Sequence, residues 1–177
     1  MTTRVGQGLL IVYTGNGKGK TTAALGLLWR ALGAGLRVCV IQFVKSERGR
    51  WGETLLAERL GVEWHAMGRG FVCDPAHQAE DAGLAREGWA LAREKISSRD
   101  YDVVLLDEFT YPLAFGWLDR EQVVGWLMTE RPRSVHVVIT GRSAPAELIA
   151  AADLVTEMVA IKHPYDAGIR AQAGIEF

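Results

Sequence analysis

Three observations predict a three-layer α/β/α fold around a mostly parallel sheet. Apolar runs of strand length alternate with helical segments along the whole chain. The runs are continuously apolar rather than alternating, which suits strands covered by helices on both faces. The first run passes through a glycine-rich turn straight into a helix, the order that opens a βαβ unit.

Each element has its own warrant. Residues 9–13 (Leu-Leu-Ile-Val-Tyr) read as the first strand. Residues 20–32 read as a helix that Gly33 and Gly35 bring to an end. Residues 38–43 are the second strand. The polar, glycine-rich stretch 45–52 (Lys-Ser-Glu-Arg-Gly-Arg-Trp-Gly) is a candidate mobile loop. A helix over 53–59 and a strand over 62–65 follow. A long helix is expected over 78–96, preceded by Pro75, with Asp74 as candidate cap. The strand at 103–106 runs into Asp107-Glu108. A helix at 120–128, a strand at 135–140 and a helix at 146–151 behind Pro145 complete the pattern. Residues 162–177 show no clear period and are a candidate cover over the site.

The chain has 177 residues, expected as one domain over residues 1–177. Apolar residues make up 49% and charged residues 23%, as in ordinary globular proteins. A net charge of −1 offers no basic footprint for nucleic acid. No apolar stretch approaches the ~20 residues that span a bilayer, so no membrane partner is expected. The first residues lack the apolar core of a secretory signal. The two cysteines, Cys39 and Cys73, make no disulfide framework. A cytoplasmic location is expected.

The chemistry concentrates in Thr14-Gly15-Asn16-Gly17-Lys18-Gly19-Lys20-Thr21-Thr22. Glycines let successive N–H groups turn toward one centre, and the helix that follows adds its own unpaired N–H groups and positive dipole end. Lys20 supplies charge to a phosphate, and the Thr21 hydroxyl is a Mg²⁺ ligand type. The usual spacing, G-x-x-x-x-G-K-[ST], puts a glycine at position 14, where this chain has Thr14; its glycine comes at Gly15, so the loop is one residue short. The reading is nonetheless a P-loop NTPase-like fold that binds a nucleoside triphosphate.

Asp107 and Glu108 end an apolar strand, the place where acids hold Mg²⁺ beside a phosphate loop. Arg142, after Thr140-Gly141, stands at another strand end; a phosphate contact and a surface arginine are equally weighted there. Arg30, late in the first helix, and Lys45 read at least as well as solvated residues. Gly70-Phe71 lies in a glycine-flanked loop, where one buried aromatic anchor outweighs a stacking surface. The four histidines show no metal-ligand spacing.

These residues, in this order, resemble the P-loop type of ATP:corrinoid adenosyltransferase, also called cob(I)alamin adenosyltransferase. Further matching segments are Gln42-Phe43-Val44-Lys45, Arg131-Pro132, Thr140-Gly141-Arg142-Ser143-Ala144-Pro145, Lys162-His163-Pro164 and Ala171-Gln172-Ala173-Gly174-Ile175-Glu176. The short loop is itself a trait of that family. The resemblance implies transfer of the 5′-deoxyadenosyl group of ATP to the Co(I) of a reduced cobalamin or incomplete corrinoid, with triphosphate released whole. It implies that Gly15, Asn16, Gly17, Lys18, Gly19, Lys20, Thr21 and Thr22 bind ATP, joined by Arg30 and Arg142. Lys20, Thr21 and Glu108 carry the catalytic roles, and Thr21 and Glu108, with Asp107 as the weaker candidate, hold Mg²⁺. Phe71 faces the corrinoid, and Cys73 stands where the family's Gly-Phe-Thr-Trp pattern has tryptophan. The resemblance further implies a homodimer and an external electron donor. The alternatives are a P-loop kinase or ATPase acting on a small molecule, and a non-catalytic protein that delivers a corrinoid in a nucleotide-dependent way.

Overall fold

The computed structural model describes residues 6–45, 51–70 and 77–176. Its elements run β1 (Leu10–Thr14), α1 (Lys20–Gly33), β2 (Val38–Phe43), α2 (Gly52–Arg59), β3 (Glu63–Met67), α3 (Gln78–Ser98), β4 (Val103–Asp107), α4 (Thr110–Ala114), α5 (Arg120–Thr129), β5 (His136–Thr140), α6 (Ala146–Ala151) and β6 (Leu154–Glu157). The strands form one sheet in the order β3-β2-β4-β5-β1-β6, and every pairing is parallel.

Period-two alternation along the strands builds the three layers. In β1, Leu10 and Val12 join a cluster with Trp89 of α3, Val123 and Leu127 of α5 and Leu148 of α6. Ile11, between them, joins the opposite cluster with Ala24 and Leu28 of α1 and Ala57 of α2. Both faces of the sheet are therefore covered, which is why the strands read as unbroken apolar runs.

The expected strands and helices are present, with ends that match or differ by at most two residues, as is normal for fraying termini. Of the strands and α-helices described, two went unanticipated. β6 pairs with β1 yet is exposed along its whole length, so no apolar run announces it. α4 has five residues, too few for a helical period, and Pro112 sits inside it. At the start of α3 the flanking residue is His77. Asp74, the expected cap, lies outside the described residues, as does most of the candidate loop at 45–52.

Parallel strands bring their carboxyl ends to one side of the sheet, which is where an open α/β fold places ligands. β1 delivers the glycine-rich loop there, β4 delivers Asp107 and Glu108, and β5 delivers Thr140. The β2–β4 register sets Gln42 beside Asp107, so a polar residue in an otherwise apolar strand meets a carboxylate.

Candidate active site

The loop between β1 and α1 is held by the far end of the chain. Gly17 N donates to Met158 O at 2.6 Å, and Met158 N donates to Thr14 O at 2.8 Å. A Cβ on Gly15 would stand 2.5 Å from Met158 O, and one on Gly17 2.7 Å from the Val159 carbonyl carbon, so only glycine admits this approach. Thr14, at the expected glycine position, is the last residue of β1; its Oγ1 accepts from Ala144 N at 3.2 Å. Gly19 takes φ 112° and leads into α1 without a side-chain cap, leaving the first helical N–H groups for an anion.

Lys20 is buried, with Nζ donating to Gly17 O at 2.8 Å. Burial lowers its pKa, Glu108 opposes that shift, and the positive field of Arg142 adds to it. Thr21 Oγ1 donates to Asp107 Oδ1 at 2.8 Å, so the hydroxyl lone pairs stay free for a cation. Thr140 Oγ1 donates to the same oxygen at 2.6 Å, and Gln42 Nε2 donates to Oδ2 at 2.8 Å. Asp107 is fully buried with three donors on it. It therefore orients Thr21.

Glu108 plays the complementary part. It has φ 57°, a left-handed conformation that is unusual outside glycine, and its N–H donates to Thr140 Oγ1 at 2.9 Å. The carboxylate lines the cavity described below, and its buried Oε2 has no hydrogen-bond partner among the described residues. Burial, then the neighbouring Asp107, raise its pKa, against the pull of Lys20, Lys45 and Arg142. A buried acceptor without a donor, next to a hydroxyl whose lone pairs are free, suits a hard divalent cation.

A cavity of about 550 Å³ opens over these groups. Its polar end is made by Lys18, Lys20, Thr21, Lys45 and Glu108, and its other end by Leu25, Gly26 and Trp29 of α1. The tail closes one side through Gly174, Ile175 and Glu176, so the irregular C-terminal stretch does flank the site. Lys18 ties it down: Nζ donates to Ile175 O at 3.0 Å and pairs with Glu176 at 3.3 Å.

The structure thus gathers Gly19, Lys20, Thr21, Thr22, Lys18 and Glu108 at one cavity, with Gly15, Asn16 and Gly17 in the loop beneath and Asp107 behind Thr21. Arg142 is exposed just past β5, near enough for its charge to act on Lys20 and Glu108. Arg30 is not brought in. It sits exposed in the last turn of α1, ten residues and so about 15 Å along the helix from Lys20. Phe71 and Cys73 lie outside the described residues. Gln42 and Thr140, which fix Asp107, were not singled out by sequence; the signal was a polar side chain at the end of an apolar strand.

A second cluster lies at the other end of the sheet. Cys39, Glu63 and His65 bring ligand-type atoms within 4.8 Å of one another, which their spacing in sequence does not suggest. Glu63 is already saturated there. Its Oε1 pairs with His65 at 2.6 Å and Lys95 at 2.8 Å, and its Oε2 accepts from the Tyr101 hydroxyl. The Lys95 ammonium supplies the charge that a metal would bring, and burial pushes the Cys39 thiol up to about 12, far from a thiolate. The cluster reads as a structural ion-pair network.

Comparison with known proteins gives the family. A corrinoid adenosyltransferase of Escherichia coli (strain K12) is 44% identical over 97% of this chain and 86% of its own length. Corrinoid adenosyltransferase CobA of Salmonella typhimurium is 40% identical over 97% of this chain and 86% of its own. The flagellar accessory protein FlaH of Methanocaldococcus jannaschii shares the fold, with a TM-score of 0.58, 13% identity, and coverage of 87% of this chain and 74% of that one. Residues 6–177 match the family described as ATP:corrinoid adenosyltransferase BtuR/CobO/CobP, and with relatives this similar along nearly its whole length the chain belongs to that family.

Proposed function

We propose that the site works as a holder for a triphosphate leaving group. The observation that carries this is the make-up of the cavity: among the described residues lining it are cations, carboxylates and backbone N–H groups, and no cysteine, histidine or serine that could act as a nucleophile. That suits a reaction in which the substrate brings its own nucleophile. The enzyme is an ATP:corrinoid adenosyltransferase. The electron pair of Co(I) attacks C5′ of the ribose, the C5′–O bond breaks, and the pair departs on the α-phosphate oxygen as triphosphate leaves. Cobalt goes formally from Co(I) to Co(III), after an external electron donor has reduced Co(II) to Co(I).

In this scheme Lys20 and the N–H groups of the loop stabilise the charge that grows on the departing oxygen. Lys18 and Arg142 neutralise the outer phosphates. Thr21, oriented by Asp107, and Glu108, with its unpartnered Oε2, would hold Mg²⁺, whose charge lowers the cost of expelling a polyanion. Holding C5′ in line with cobalt supplies much of the remaining acceleration. No proton is transferred in this step. A cytoplasmic homodimer serving cobalamin biosynthesis or salvage, with Phe71 and Cys73 toward the corrinoid, is the setting the family suggests.

Product analysis tests the reading. Incubation with ATP, Mg²⁺ and a reduced corrinoid should yield triphosphate and a light-sensitive Co–C bond in equal amounts. ADP or orthophosphate as the main product would instead indicate a kinase or ATPase, and bound ATP without turnover under strong reductant a delivery protein. Lys20→Ala should cost two to three orders of magnitude in kcat, on the order of 3–4 kcal/mol, as for loss of a group aimed at developing charge.

A further inference from the structure

Asp81 and Trp117 are polar groups with no work in the site described above. Asp81, in the first turn of α3, is only 6% exposed, and among the described residues its carboxylate has no hydrogen-bond or ion-pair partner. Trp117, just past α4, carries a buried indole Nε1–H that likewise has no partner among them. Groups so buried are normally satisfied, so each calls for an explanation. Both line one cleft. Its walls are Phe43 and Met67 at the ends of β2 and β3, Leu84 of α3 and Pro112 of α4. It leaves only about 10 Å³ for the centre of a water-sized group, so it takes the tip of a side chain and not a ring.

The chemistry of the pair selects the tip. A cation would suit Asp81 and be repelled by the indole N–H; an anion would suit the indole and be repelled by Asp81. A neutral group with a donor and an acceptor side by side satisfies both, and a primary amide is such a group. Position selects its source. Val44 lines the cleft while its neighbour Lys45 lines the nucleotide cavity, so the two adjoin. The cleft lies on the α3 face of the sheet, whereas the cavity runs along α1 on the other. The cleft therefore faces the second substrate rather than ATP, and a corrinoid carries acetamide and propionamide arms around its ring. We propose that Asp81 and Trp117 hold one amide arm of the corrinoid, its –NH2 donating to Asp81 and its C=O accepting from Trp117. The pair then discriminates by charge, because an arm hydrolysed to the acid brings a carboxylate against Asp81 and no donor for it. The inference rests on a corrinoid being the substrate.

The test is adenosylation by the full chain, with Mg-ATP and strong reductant, of cobalamin and of its monocarboxylic acids, each with one arm hydrolysed. Wild type should use at least one of these acids about tenfold less well than cobalamin in kcat/KM, a loss of about 1.4 kcal/mol. Asp81→Asn, which removes the charge and adds a donor, should close or reverse that gap. Trp117→Phe, which keeps an aromatic ring and removes the N–H, should raise KM for cobalamin about tenfold and leave KM for ATP within about twofold. Equal use of all the acids by wild type overturns the proposal. An equal loss for every corrinoid in Asp81→Asn also overturns it, since Asp81 would then serve the fold. Unchanged use of every corrinoid by both variants overturns it as well, since the pair would then hold a water only. No Co–C bond from wild type with any corrinoid would remove the parent reading along with this one, whereas the other outcomes leave the parent reading intact.

Discussion

Two adjacent carboxylates here do different work because their surroundings differ. Asp107 accepts three hydrogen bonds and is sealed from solvent, while Glu108 keeps a buried oxygen without a donor. Asp107→Asn turns one acceptor oxygen into a donor that faces donors, so it should destabilise the fold by about 1–3 kcal/mol as well as misdirect Thr21; thermal melting and the Mg²⁺ dependence of turnover would both register it. Glu108→Gln removes a carboxyl whose burial outweighs the pull of Lys20, Lys45 and Arg142. Its melting temperature at neutral pH should equal or exceed that of wild type, while Mg²⁺-dependent activity falls at least a hundredfold. A variant that loses stability and activity together would assign Glu108 to the scaffold instead. Lys20, Thr21 and Glu108 were legible in sequence because loop and strand-end acids form a spaced motif. The partners of Asp107 were not, since Gln42 and Thr140 reach it only through strand register.

At the level of elements, the site hangs on how β4 leaves the sheet. Directly after Glu108, Phe109 is fully buried, its ring 4.8 Å from that of Phe43 and 5.4 Å from that of Trp89. This anchor holds the turn in which Glu108 adopts its left-handed conformation. Phe109→Ala should therefore cost about 3–5 kcal/mol in denaturant unfolding and also weaken Mg-ATP, although Phe109 does not line the cavity. The same logic explains which elements could be read in advance. β2 and α6 match their expected bounds because an apolar run and a proline-led turn mark them. β6 is fixed by hydrogen bonds to β1 with little burial of its own, and backbone pairing leaves no trace in side-chain pattern. α4 is likewise a consequence of the turn after β4 rather than of its own five residues.

Across the molecule, the candidate active site and an ion-pair network occupy opposite ends of the sheet. Hydrogen bonds from Lys95 first, then Tyr101 and His65, hold the Glu63 carboxyl at about 2, below its ordinary 4.5. A carboxyl depressed in the folded state stabilises the protein above its unfolded value, and that stability disappears as pH falls through the folded one. Glu63→Gln should accordingly lower the urea midpoint at pH 6–7. The gap to wild type should close as pH drops from about 4.5 toward 2, and added salt should narrow it because the group is partly exposed. ATP affinity should not move, as the two sites are far apart and share no partner. A gap that stays constant with pH would mean Glu63 acts through packing alone. The α/β class and parallel sheet were evident from apolar runs, whereas this network joins β3 to α3 and the segment after it across the tertiary structure.

The grip of Met158 on Gly17 and Thr14 has a bearing on biosynthesis of the polypeptide itself. The glycine-rich loop leaves the ribosome long before the segment around Met158 that shapes it. A nascent chain carrying β1 and α1 has the motif without the cradle, so nucleotide cannot template early folding. Competence for ATP is expected only once Met158 has been made, and chains released before it would carry an intact motif yet stay silent toward nucleotide.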